Sequence, residues 1–118
     1  MYKNRMNEEE ALSGYRILWM QVLFDLPVTT KKARKQATEF RNFLLDQGFD
    51  MTQYSVYQRV CSGKEMVKTM LRRVEANLPD EGKVHVLIIT DKQYENIHTF
   101  RGKNRGGKNK NPSQLTLF

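Results

Sequence analysis

The sequence predicts an α+β domain, with two helices on one face of a four-stranded antiparallel sheet. Three observations predict it. Residues 15–25, Y-R-I-L-W-M-Q-V-L-F-D, and 83–90, K-V-H-V-L-I-I-T, are rich in β-branched and aromatic residues and read as strands. Two further segments space their apolar residues at helical intervals: Ala33, Ala37, Phe40 and Leu44, then Met66, Val67, Met70, Leu71 and Val74. Between them, residues 49–61, F-D-M-T-Q-Y-S-V-Y-Q-R-V-C, read as two short strands kinked near Gln53 and Tyr54. Strand, helix, strand pair, helix and strand in that order make the ferredoxin-like split βαβ arrangement.

Each element follows from local chemistry. Residues 1–14 show no apolar period and read as a flexible extension. The first strand is apolar along its length, reads as buried and ends in a lone acid, Asp25. Thr29 or Thr30 caps a helix that runs to about Gln47, where Gly48 stops it. Ser62 and Gly63 break the second strand pair and open a helix to about Asn77. Pro79 to Gly82 is a turn into the strand at 83–90, which reads as buried. Asp91 to Asn96 is a short turn, and Ile97 to Arg101 an additional C-terminal strand. The predicted organisation is therefore an extension (1–14), a ferredoxin-like domain (15–101), and a basic linker with a docking segment (102–118).

The chain has 118 residues and a formal charge of +7, from 20 Lys plus Arg against 13 Asp plus Glu. The excess is uneven. Arg101, Lys103, Arg105, Lys108 and Lys110 occur in a stretch without a single acid, which leaves the body nearly neutral. A basic tail on such a body suits a polyanion, although a solvated tail has the same composition. Cys61 is the only cysteine, so no intrachain disulfide can form and a reducing cytoplasm fits. No apolar run approaches the ~20 residues that span a bilayer, so no membrane partner is expected.

Asp25 is the first candidate for chemistry. An acid at the end of an apolar strand either caps the turn that follows or binds a cation. One carboxylate is a thin ligand set for Mg²⁺, which takes one or two carboxylates with waters or phosphates. A homodimer could supply a second Asp25 across its two-fold axis. Lys31, Lys32, Arg34 and Lys35 fall in the first turns of the first helix. Cations there oppose the helix dipole, whereas a phosphate would meet free N–H groups and positive charge together. The competing reading is four exposed, salt-screened side chains. Tyr54 and Tyr57 lie on opposite faces of the extended segment and could each stack on a base, but both are ordinary strand residues and core packing is the preferred reading. His85 and His98 make no metal-ligand spacing with Cys61. The chain has no Gly-rich phosphate loop, nucleophile elbow or C-x-x-C pair.

Two motifs carry a resemblance: V-L-F-D-L-P at the end of the first strand and, after one helix, G-F-D-M-T-Q-Y-S-V-Y-Q. Over residues 15–101 the chain resembles the small CRISPR adaptation family Cas-two, the non-integrase partner of the spacer integrase. The form F-D-L-P-V is most similar to members from type II systems. The resemblance implies a ferredoxin-like homodimer that bridges integrase dimers and holds duplex pre-spacer DNA through phosphate contacts. It also implies a possible Mg²⁺-dependent endonuclease activity, with Asp25 as the metal ligand. Phe24 stands where many relatives have tyrosine, and Met51 where some have arginine.

The expected function is therefore a dimeric scaffold in spacer acquisition, with Lys31, Lys32, Arg34, Lys35 and the cations from Arg101 to Lys110 on DNA phosphate. A metal-dependent endonuclease using Asp25 is the alternative. A ferredoxin-like RNA-binding or regulatory module is the third. The terminal Q-L-T-L-F is expected to dock through Leu115, Leu117 and Phe118 on the integrase or the other protomer. It also resembles the pentapeptide by which bacterial proteins bind the sliding clamp.

Overall fold

A computed structural model of the chain describes residues 16–103. The elements run β1 (Ile17–Asp25), α1 (Lys31–Asp46), β2 (Asp50–Gln53), β3 (Val56–Ser62), α2 (Lys64–Ala76), β4 (Lys83–Thr90) and α3 (Asp91–Glu95). The strands form one sheet in the order β2-β3-β1-β4, antiparallel throughout. That order, with α1 and α2 on one face, is the ferredoxin-like arrangement.

The core lies between the helices and one face of the sheet. Leu18, Met20, Val22 and Phe24 of β1 point into it, joined by Tyr57 and Cys61 of β3. Ala37, Phe40 and Leu44 of α1 and Val67, Met70 and Val74 of α2 close it from above. Phe40 meets Phe24 edge to face at 5.3 Å between ring centroids. Burial lifts the Cys61 thiol pKa, which the neighbouring Arg59 opposes.

Three expectations need correction. β1 and β4 are not buried along their length. They alternate, because the two long helices, α1 and α2, cover only one face of the sheet. Leu71 does not face the core; it lies at the margin of the α2 stripe and is partly exposed. The strand expected over Ile97–Arg101 is absent from the described residues. A capping box at Thr90 and Gln93 starts α3 directly after β4 and ends the strand path there. Phe100 is left 89% exposed.

The ends of the elements match their chemistry. Thr30 Oγ1 accepts from the Ala33 amide at 3.0 Å and so caps α1. Gly48 follows α1 with φ +88°, the left-handed conformation that lets the chain reverse. Gly82 carries the strictest requirement, with φ +103°. A Cβ there would lie 2.7 Å from Leu26 Cδ2 and 2.8 Å from the Asp25 carbonyl oxygen. Gly82→Ala should therefore destabilise the domain by roughly 1–3 kcal/mol, combining φ strain with a backbone clash. Thermal melting beside the wild-type chain measures it. Because Gly82 packs on the end of β1, the same change should disturb the backbone at Asp25.

Candidate nucleic-acid interface

Antiparallel pairing decides what surrounds Asp25. In the register of β1 with β4, Leu23 faces His85 and Asp25 faces Lys83. The odd-numbered residues of β1 and β4 lie on the face of the sheet opposite α1 and α2. Leu23, Phe24, Asp25, Lys83 and His85 line one shallow depression at the strand ends. Asp25 is exposed. Sequence reading did not associate Lys83 or His85 with Asp25. The signal was the strand pairing itself, since aligning the two strands puts 83 and 85 beside 25 and 23.

This depression does not fit Mg²⁺ on its own. One carboxylate lies beside a lysine, and among the described residues no group of three or more His, Cys, Asp or Glu side chains could hold a metal ion.

Lys31, Lys32, Arg34 and Lys35 all lie exposed in the first turns of α1, whose first turn holds no acid of its own. Arg34 Nη1 donates to the Val28 carbonyl at 3.0 Å, fixing its guanidinium over the β1–α1 loop. The acid that faces this group is Asp80, in the α2–β4 loop. Lys32 Nζ lies 3.6 Å from Asp80 Oδ2, with both side chains mostly exposed. Gln36 clamps the same loop from both sides. Its Nε2 donates to Asp80 Oδ2 at 2.9 Å, and its Oε1 accepts from the Asp80 amide at 2.9 Å. The Gln36 hydrogen bond, then the charge on Lys32, hold the Asp80 carboxyl below the usual range. An exposed pair of this kind adds little to stability, so it yields readily to a phosphate.

A further cation, Arg41, lies two turns beyond Arg34 on the same side of α1. Sequence reading placed it on no surface. Its Nη2 donates to Tyr54 Oη at 3.2 Å, and its Cζ lies 5.1 Å from the Tyr54 ring centroid. Tyr54 is half exposed at the β2–β3 hairpin, while Tyr57 is core. Burial raises the Tyr57 phenol pKa, opposed by the charge on Arg41.

Arg101 and Lys103 are exposed. They follow α3, which leaves the sheet at the Leu18 end of β1, opposite Asp25. Arg105, Lys108, Lys110, Leu115, Leu117 and Phe118 lie outside the described residues, as does the 1–14 extension.

The uncovered face carries apolar side chains as well. Ile17, Val60 and Leu87 are each nearly half exposed, around the less exposed Leu23 and Ile89. At one end α3 folds onto this face. Tyr94 stacks on Trp19 at 3.8 Å and accepts a hydrogen bond from Gln58, while Trp19 Nε1 donates to Asp91 at 2.8 Å. No helix among the described residues is long and apolar enough to cross a membrane.

Fold and surface together define a small ferredoxin-like protein with an acid at one strand end, a cationic helix start beside it and an open apolar sheet face. The family model for CRISPR associated protein Cas2 matches residues 18–97, and the chain belongs to that family. It is 54% identical over 107 residues to the CRISPR-associated endoribonuclease Cas2 of Paracidovorax avenae, covering 91% of this chain and 99% of that one. It is 46% identical to the protein of the same name from Flavobacterium psychrophilum, covering 91% and 93%. The Parvibaculum lavamentivorans protein is 45% identical, covering 86% of this chain and all of that one.

Proposed function

We propose that this chain is the dimeric, DNA-holding scaffold of a CRISPR spacer-acquisition complex in the cytoplasm. The observation that carries the reading is the start of α1: four exposed cations at a helix N-terminus, with no acid in the first turn. Backbone N–H groups and cations there favour phosphate of any sequence. Arg101, Lys103, Arg105, Lys108 and Lys110 would add contacts from the tail. The dimer reading rests on the uncovered face, where Ile17, Val60 and Leu87 would otherwise meet water. The outer edges of β2 and β4 are also unpaired within the described protomer. The remaining surface would dock the integrase, with Leu115, Leu117 and Phe118 as the proposed docking segment. The sliding clamp is a second candidate for that segment.

One observation favours a second reading. The relatives above are named endoribonucleases. A nuclease would use Asp25 with Lys83 and His85 beside it, and Mg²⁺ would require a second carboxylate from the other protomer. The single-protomer depression lacks that ligand set, so the scaffold is the better supported reading.

Light scattering should give a dimer at tens of micromolar. Size exclusion with the integrase and duplex DNA should give a co-eluting complex. A monomer that fails to join that complex would contradict the scaffold.

A further inference from the structure

Resting on the nucleic-acid reading, we infer that Arg41 and Tyr54 form a separate seat for one unpaired nucleotide, with its phosphate on Arg41 and its base on the Tyr54 ring. Arg41 is partly buried, yet among the described residues it has no carboxylate within ion-pair distance. Its Nε is buried and has no hydrogen-bond partner there. Its guanidinium lies between two rings, 5.1 Å from the Tyr54 centroid and 6.0 Å from that of Phe24. The buried Nε cannot itself reach a ligand, but a half-buried guanidinium with no carboxylate beside it favours an anion at its outer edge.

Tyr54 is held for stacking. It occupies the tip of the β2–β3 hairpin, next to Ser55 at φ +69°. The Ser55 carbonyl accepts from the Phe24 amide at 3.1 Å, which pins that tip against β1. The ring is half exposed and Arg41 bonds its hydroxyl, so its free surface faces solvent. An exposed ring backed by a cation suits a base, and stacking is tolerant of sequence because every base has a π-face. A base paired inside a duplex offers no such face, so the seat selects unpaired strand.

The seat also extends the cationic line of α1. Arg41 is seven residues from Arg34, roughly 10 Å along the axis on the same side of the helix. A strand leaving the α1 phosphate site thus meets Arg41 and Tyr54 next.

The test is fluorescence anisotropy of the full chain with labelled oligothymidylate and with a blunt duplex. Tyr54→Ala should weaken oligothymidylate binding about tenfold and leave the blunt duplex unchanged. Tyr54→Phe keeps the ring and should retain most of the affinity. Arg41→Gln should weaken oligothymidylate and reduce its salt slope by about one. Wild-type chain that binds duplex but not oligothymidylate overturns the seat and leaves the phosphate reading standing. So does equal oligothymidylate binding by Tyr54→Ala and wild type, or Tyr54→Phe behaving as Tyr54→Ala. Wild-type chain that binds neither probe overturns both.

Discussion

Reversing the charge at Lys32 and Arg34 should lower duplex affinity at least a hundredfold at moderate salt. The size follows from counterion release. A dimer engaging about six phosphates gives log K a slope near −5 against log salt, at about −0.9 per phosphate. The double reversal removes two cations per protomer and sets acids in their place. It should therefore flatten the slope as well as weaken binding. Fold should survive, because both side chains are exposed. The Lys32–Asp80 pair adds little to stability, and Gln36 still anchors the Asp80 loop through two hydrogen bonds. Titration by anisotropy over a range of salt checks both effects. Strong binding unchanged at high salt would contradict the electrostatic mechanism.

Phe40→Ala should have the largest effect on stability, at roughly 3–5 kcal/mol. Phe40 is among the largest fully buried side chains. It packs edge to face on Phe24 and stacks 6.2 Å from Phe43. Truncation leaves a cavity between α1 and the sheet, lined by Phe24 and Phe43. Against a typical domain stability of about 5–15 kcal/mol, that loss is a large fraction of the total. Denaturant melting measures it as a lower midpoint with little change in slope. The consequence reaches the surface, since Phe24 immediately precedes Asp25 and lies under Arg41.

What the sequence made legible is what depends on local spacing. The α1 stripe of Ala37, Phe40 and Leu44, the Thr30 cap and the kink between β2 and β3 follow from neighbours in the chain. So does the cationic start of α1, because its four residues are adjacent. What sequence reading missed depends on tertiary pairing. β1 is apolar on both faces, so composition alone made it fully buried. Only the placement of α1 and α2 on one side shows that Ile17, Leu23 and Leu87 line an open face. Lys83 and His85 join Asp25 through strand register, and Asp80 meets Lys32 from 48 positions away. Ile97 to Phe100 has a strand's composition, but its pairing partner is not supplied by the described protomer.

The two proposed readings separate on two sets of residues. A nuclease depends on Asp25, and a scaffold depends on the cations of α1. The most direct measurement is spacer integration by the cognate integrase in vitro, with wild-type chain, Asp25→Ala and Lys32→Glu/Arg34→Glu compared side by side. The scaffold account predicts near wild-type integration with Asp25→Ala and severe loss with the double reversal. Loss of integration with Asp25→Ala, in a chain that remains folded and dimeric, would contradict it.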